Sequence, residues 1–348
     1  MFSYTMSAKT CEMRAMDSVI ATEDLTKEFD GLVAVDHITL NVGRGEIFGF
    51  LGPNGAGKTT AVKMLCTILN PTSGSARVCG YDIVRQRDEV RQCIGIVFQD
   101  RAIDTFLTGK ENLDFHARMY HMDRKTRRER VAEVLDLMDL TGRENMRISE
   151  CSGGTQRRFE VARGFLNHPK LLFLDEPTLG LDVQARRNLW DYVNLLNERE
   201  GITIILTTHY MEEADYLCHR VAIIDEGKIA AMGTPEELKQ VMGLNLISLQ
   251  IDQGSTGSPV DSLKQLSWIK KIDARDGSLE LSIDGGEERI PELIDFADNR
   301  GLIITSIKLY KPSLEDTFLH YTGKTIREEE GSVKEIWKAW MRRTGVRR

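Results

Sequence analysis

No stretch of this 348-residue chain approaches the length of apolar sequence needed to cross a bilayer; the best candidate, Ile202 to Thr208, runs at once into His209 and acidic residues. Any work at a membrane is therefore expected from outside the lipid. A surplus of positive charge is missing too. The 46 Lys and Arg stand against 53 Asp and Glu, a net charge of −7, which excludes nucleic-acid binding through a broadly basic surface. The six cysteines (Cys11, Cys66, Cys79, Cys93, Cys151, Cys218) contain no C-x-x-C pair. Neither a zinc site nor a disulfide framework is expected, and a reducing compartment is the simpler setting. Met1 to Asp17 lacks a basic start followed by a sustained apolar segment, so no secretory signal is expected. No internal repeat is evident. What remains is a globular composition, long enough for one large and one small domain, each with its own core.

The chain is organised around Gly52-Pro-Asn-Gly-Ala-Gly-Lys-Thr-Thr60, which fits the phosphate-loop pattern G-x-x-x-x-G-K-[ST]. Before it, Glu46 to Leu51 is a short apolar run, hence a buried strand; after it, Thr60 to Leu69 carries helical apolar spacing. Glycines let successive backbone N–H groups curl around a polyphosphate, and the helix start adds the positive end of its dipole. Lys58 is then placed to reach the β- and γ-phosphates and Thr59 to hold Mg²⁺.

Other short strands end on polar residues, where ligand sites of parallel sheets lie. Ile94 to Phe98 ends on Gln99, which is also a reasonable strand-end cap. Leu171 to Glu176 is an unbroken apolar run closing on two carboxylates, and a carboxylate is expensive to desolvate without a reason. After a phosphate loop, Asp175 fits the Mg²⁺ shell and Glu176 the polarisation of an attacking water. Gly201 to His209 repeats the design with an imidazole able to donate to a γ-phosphate. Between these, Leu107 to Leu140 reads as an all-helical insertion whose basic run, Arg124 to Arg130, is expected to be a solvated face. Ser152-Gly-Gly154 opens a further helix, with Ser152 as its cap, either as a plain capped helix or as a second anion site. Upstream, Val19 to Leu25 and Val33 to Val42 are strands around an Asp30-Gly31 turn, and Phe29 just before it is able to stack on a base or to pack in a core.

Past Gly243 the pattern β, α, β, β, α, β, with a polar segment Asp252 to Pro259 and a turn at Asp276-Gly277, suggests a small ferredoxin-like unit. Ser313 to Tyr321 is a further short helix. In Ser332 to Arg343 the residues Val333, Ile336, Trp337, Trp340 and Met341 share one helical face, followed by arginines; this basic amphipathic tail suits an acidic membrane surface, a partner, or packing on the protein itself.

Taken together, the motifs over about Val19 to Met242 closely resemble the ATP-binding cassette (ABC) ATPases. The resemblance implies Phe29 as the adenine-stacking aromatic and Gly52, Pro53, Asn54, Gly55, Ala56, Gly57, Lys58, Thr59 and Thr60 as the Walker A loop. It makes Gln99 the lid glutamine and a metal ligand beside Thr59 and Asp175, and Ser152, Gly153 and Gly154 the signature. Glu176 becomes the catalytic glutamate, Leu179 to Asp182 the D-loop that brings Asp182 to nucleotide, and His209 the switch histidine; Lys58 and Gln99 join Glu176 and His209 in catalysis. One departure stands out: the usual L-S-G-G-Q is here Cys151-Ser-Gly-Gly-Thr155, with Gln156 one place later. Lys311 to Leu319, the following Tyr-Thr-Gly and Arg327 to Gly331 look like the daunorubicin/doxorubicin-resistance branch of ABC exporters.

The resulting expectations are an α/β P-loop NTPase domain of the ABC type over 18–243, with a helical subdomain at about 100–168. An α+β domain at 244–322 is expected to follow, between an extension at 1–17 and the tail at 323–348. Function is expected to be ATP hydrolysis with Mg²⁺, driving export of a drug-like or lipidic compound through a separate type-2 permease. Two ATPase subunits are expected to pair as a homodimer on the inner face of the cell membrane, held there by the permease, with no nucleic-acid partner. A soluble ABC ATPase not engaged in transport, either regulatory or acting on DNA or the ribosome, is the alternative. Only a short helical segment lies between Gln99 and Ser152, however, where chromosome types carry a long coiled coil, and the phosphate loop occurs once.

Overall fold

The computed structural model describes residues 18–240, 245–251, 260, 263–275, 278–283, 286–310 and 313–322. The extension 1–17, the segment Asp252 to Pro259, the turn expected at Asp276-Gly277, Lys311-Pro312 and the tail 323–348, where the amphipathic helix with its tryptophans is expected, lie outside the described residues. The chain divides into two compact units between Pro235 and Glu236.

The first unit opens with a hairpin, β1 (Ser18–Phe29) and β2 (Leu32–Gly43), then β3 (Ile47–Leu51) and α1 (Lys58–Leu65). β4 (Ser73–Val78) and β5 (Tyr81–Asp82) return to the hairpin, giving an antiparallel sheet in the order β2-β1-β4-β5. Next come α2 (Arg87–Cys93), β6 (Ile94–Val97) and two helices of the insertion, α3 (Gly109–Met119) and α4 (Arg124–Leu137). α5 (Gly153–Gly164), β7 (Leu171–Asp175), α6 (Val183–Glu200), β8 (Thr203–Thr208) and α7 (Met211–Leu217) follow. β9 (Arg220–Asp225) and β10 (Lys228–Gly233) complete the first unit, and α8 (Pro235–Gln240) begins at the boundary residue Pro235 and continues into the second.

A second sheet has the order β10-β9-β3-β8-β7-β6. All its pairs are parallel except β10 on β9. β3, β7 and β8 are buried at every residue, as strands covered on both faces must be, which is why they read as continuous apolar runs. Phe48 and Phe50 meet edge to face at 5.4 Å in the core shared with the antiparallel sheet. Burying each side chain is worth roughly 1.5–3 kcal/mol.

Two expectations need correcting. In sequence the charged run from about Ile83 to Gln92 reads as a helix, but the helix begins only at Arg87, because Asp82 Oδ1 accepts the N–H groups of Val84 and Arg85, both at 2.8 Å, and holds a turn there. The basic run is not wholly a solvated face: Arg130 is 2 % exposed and donates to the carbonyls of Leu166 (3.0 Å) and Phe165 (2.7 Å), capping the end of α5.

The second unit contains β11 (Asn245–Ile251), β12 (Ile269–Arg275), β13 (Ser278–Ile283), α9 (Arg289–Asp298), β14 (Ile304–Tyr310) and α10 (Leu314–Thr322). Its sheet order is β12-β13-β11-β14, antiparallel throughout. Between β11 and β12 the chain is helical at Val260 and Leu263. The strands joined by each helix are thus separated by one strand, the interleaving of a ferredoxin-like βαββαβ unit. Ile247, Leu249, Leu281, Ile283 and Leu293 form its core with Trp268.

Candidate active site

The parallel register carries several strand ends to one edge of the sheet. Leu51 pairs with Thr208, Asp175 with Thr207 and Val97 with Leu174, so the segments entering residues 52, 176, 209 and 98 leave side by side.

The loop from Gly52 to Gly57 has no room for side chains at its two ends. A Cβ on Gly52 would lie 2.2 Å from the Ile224 carbonyl oxygen, and one on Gly57 (φ +102°) 2.3 Å from that of Ala34. Lys58, 4 % exposed, turns back so that Nζ donates to the carbonyls of Gly52 (2.7 Å) and Pro53 (2.8 Å), 3.6 Å from Glu176 Oε1. Thr59 Oγ1 donates to Asp175 Oδ1 at 3.0 Å. Thr207 Oγ1 donates to the same oxygen at 2.5 Å while accepting the Glu176 N–H at 3.0 Å. Asp175 is thereby fixed from both α1 and β8.

Glu176 sits at φ 45°, a left-handed conformation that breaks the strand where the site begins. Its Oε1 lies 3.4 Å from His209 Nδ1, and its Oε2 accepts from Gln99 Nε2 at a long 3.5 Å. Burial pushes the Glu176 carboxyl up, but His209 and Lys58 more than reverse this and hold it below its ordinary value, so it is ionised and able to act as a base. His209 Nδ1 is buried without an aligned hydrogen-bond partner, an orphaned polar atom facing the carboxylate. Lys58, Thr59, Gln99, Asp175, Glu176 and His209 thus form one cluster from four strand ends.

The remaining predicted residues stand apart from it. Ser152 caps α5, its Oγ accepting the Thr155 N–H at 3.3 Å. Asp182 caps α6, its Oδ1 accepting the Ala185 N–H at 2.8 Å. A Cβ on Gly154 would lie 2.9 Å from Ala185 Cβ, so the glycine turn and the Asp182 cap are packed together. None of the described hydrogen bonds of Ser152 or Asp182 reaches residues 52–60. Phe29 is 42 % exposed at the hairpin tip, with Lys27 Nζ 4.8 Å over its ring, so it is outside the core. The same hairpin sets Ala34 against Gly57.

Residues 35–179 match the ABC transporter family, and residues 233–322 match the C-terminal domain of DrrA1-3-like ATP-binding proteins. The chain is 37 % identical to the daunorubicin resistance ATP-binding protein DrrA3 of Streptomyces coeruleorubidus, over 91 % of this chain and 99 % of that one. The chain belongs to the ABC transporter ATP-binding proteins, in their daunorubicin/doxorubicin-resistance branch. It is 34 % identical to the linearmycin resistance ATP-binding protein LnrL of Bacillus subtilis, over 89 % of this chain and all of the relative. Among solved structures it resembles the ATP-binding cassette MJ0796, a dimer in a post-hydrolysis state with ADP and Pi. That likeness has a TM-score of 0.55 and 27 % identity, covering 62 % of this chain and 98 % of the other. This ABC protein is accordingly an ATP-hydrolysing transporter subunit.

Sequence reasoning about this ABC ATPase overlooks three side chains at the site. Thr207, within the apolar run of β8, holds Asp175 and the Glu176 backbone together. Arg157, on α5, bonds the backbone beside Gln99 and Glu176. Glu213, 0 % exposed on α7, accepts from Trp190 Nε1 at 2.9 Å, and burial raises its pKa. The latter two carry no local sequence signal, each being one charged residue among several on its helix.

Proposed function

We propose that this protein couples ATP binding and hydrolysis to export of a drug-like or lipidic compound through a separate type-2 permease, from the inner face of the cell membrane. Among the described residues no helix is long and apolar enough to cross a membrane; in this proposal the path for the exported compound belongs to the partner. The names of the relatives, which concern resistance to daunorubicin and linearmycin, support the choice of cargo class.

The observation that carries the reading is the convergence on Glu176 of Lys58, His209 and Gln99, beside an Asp175 already bonded to Thr59. Lys58, now on the loop carbonyls, moves to the β- and γ-phosphates, and the 52–60 backbone cradles them. Thr59, Asp175 and Gln99 supply the hard oxygen donors that suit Mg²⁺, which neutralises phosphate charge when bound. Glu176 accepts a proton from the attacking water, His209 donates to the γ-phosphate and Phe29 stacks on adenine. Ser152, Gly153, Gly154 and Asp182 sit apart from this cluster, so they serve the nucleotide of a second copy, two ATP molecules being buried across a two-fold axis. The domain limits 18–243 and 244–322 belong to the same proposal.

Replacing Glu176 with Gln tests it. ATP-dependent dimers are expected to accumulate on gel filtration, and steady-state hydrolysis to fall by roughly 10²–10⁴-fold, the usual span for a lost general base. Turnover near that of the parent would show that the base is assigned wrongly.

A further inference from the structure

Arg157 lies on the second turn of α5, the helix that Ser152 caps. It is 6 % exposed, and its guanidinium touches two loops at once. Nη1 donates to the Phe98 carbonyl at 2.8 Å, one residue before Gln99. Nε donates to the Pro177 carbonyl at 2.7 Å, and Nη2 to those of Asp175 (3.2 Å) and Glu176 (3.3 Å). One turn on, Glu160 accepts from Arg157 Nη1 at 2.7 Å and from the Ala102 N–H at 3.1 Å. The helix therefore grips both loops that flank the Glu176 carboxylate, through a planar fork of donors whose geometry a flexible ammonium cannot reproduce. A helix so clamped cannot shift without moving Gln99 and Glu176.

We infer that Arg157 is a positioning residue that links the two ATP sites of a dimer. Nucleotide engaged at Ser152 to Gly154 by one subunit moves α5, and Arg157 transmits the shift to the backbone of Glu176 in the other site. This rests on the two-subunit site proposed above. The link joins two distinct sites through one rigid element, the physical requirement for coupling.

The test compares Arg157→Lys and Arg157→Ala with the parent in steady-state ATP hydrolysis by the full chain. The same changes on a Glu176→Gln background are followed by gel filtration with ATP. Both double variants are expected to dimerise as Glu176→Gln does. In the single variants kcat is expected to fall by about tenfold for Lys and about a hundredfold for Ala, with KM within about threefold, as when a transition-state interaction is lost. The Hill coefficient for ATP is expected to drop toward 1, a change that mere loss of fold stability does not produce. Arg157→Lys, which keeps the buried charge and guards against misfolding, overturns the inference if it retains the parent's kcat and Hill coefficient. Loss of the dimer in the double variants alone also overturns it, since Arg157 would then build the interface. Absence of a dimer in Glu176→Gln itself refutes the two-subunit premise and the link with it.

Discussion

Thr207 offers the sharpest perturbation of the site, because valine copies its shape and removes only the hydroxyl. The side chain is wholly buried, so no cavity opens. The hydroxyl makes one charge-assisted bond, to Asp175 at 2.5 Å, and accepts one N–H, from Glu176 at 3.0 Å. Asp175 keeps Thr59, and the Glu176 amide keeps the Thr207 carbonyl at 3.1 Å, so neither partner is orphaned. The loss in Thr207→Val is then the net worth of the two bonds, about 2–3 kcal/mol rather than the larger penalty for stranded groups. Felt wholly in the transition state, that is roughly a 30- to 150-fold fall in kcat. Thr207→Ser keeps the hydroxyl and gives up a methyl, costing about 1 kcal/mol of stability. It is expected to hold kcat within about threefold of the parent. Denaturant unfolding and steady-state hydrolysis of both variants decide the matter. A valine variant that turns over like the serine variant would refute the idea that Thr207 orients the acidic pair.

Gly57→Ala places a Cβ 2.3 Å from the Ala34 carbonyl at a φ of +102°, so nucleotide binding measured by calorimetry is expected to vanish along with roughly 1–3 kcal/mol of stability. Burial raises the Glu213 carboxyl above its ordinary value of 4.5 in the folded chain, so the unfolded chain loses that proton first and stability declines as pH rises from there. Glu213→Gln, which keeps an acceptor for Trp190, is therefore expected to gain in melting temperature over the parent as pH rises; a gap that narrows instead contradicts this. Burial pushes His116 from 6.5 down to about 4, so between those values only the unfolded chain takes up the proton and stability is lost as pH falls. The upper bound is about 3 kcal/mol, lowered by solvent screening of a ring that is only partly covered, and His116→Gln is expected to flatten that limb of a pH–stability profile.

The strands that bear the chemistry are legible in sequence because each is short, apolar throughout and closed by a polar residue. β3, β7 and β8 are buried at every position, and the loop glycines sit where side chains do not fit. α6, with 18 residues, is harder to see. Only Leu189, Trp190, Val193 and Leu196 are buried along it, so its apolar stripe is thin and its signal lies at the ends: Asp182 as N-cap and Gly201, at φ 60°, as C-cap. α7 has seven residues, too few for a period to show. What no local pattern contains is the order of the sheet. Only the placing of β8 between β3 and β7 brings Thr207 to Asp175 and His209 to Glu176. Arg157 shows the same limit, since its partners Phe98 and Pro177 lie far from it in the chain on either side.

The altered signature is also accounted for by packing. Gln156, one place later than the glutamine of the usual pattern, points inward at 8 % exposure. Its Nε2 donates to the carbonyls of Ile148 (2.8 Å) and Cys151 (3.0 Å), and its Oε1 meets Arg101. The amide therefore fastens the segment that enters the glycine turn. A step of one residue along a helix rotates a side chain by about 100°, so the same amide at position 155 would point in another direction and leave those carbonyls. Thr155 fills its own place with a shorter, buried side chain, whose Oγ1 lies 3.0 Å from Ser152 Oγ and accepts from Arg143 Nη1 at 3.3 Å. Ser152 keeps its capping bond, and Gly153 and Gly154 keep the turn free of side chains. The exchange therefore leaves the capped glycine turn intact and substitutes a hydroxyl, tied to Arg143, for the long amide of the usual pattern.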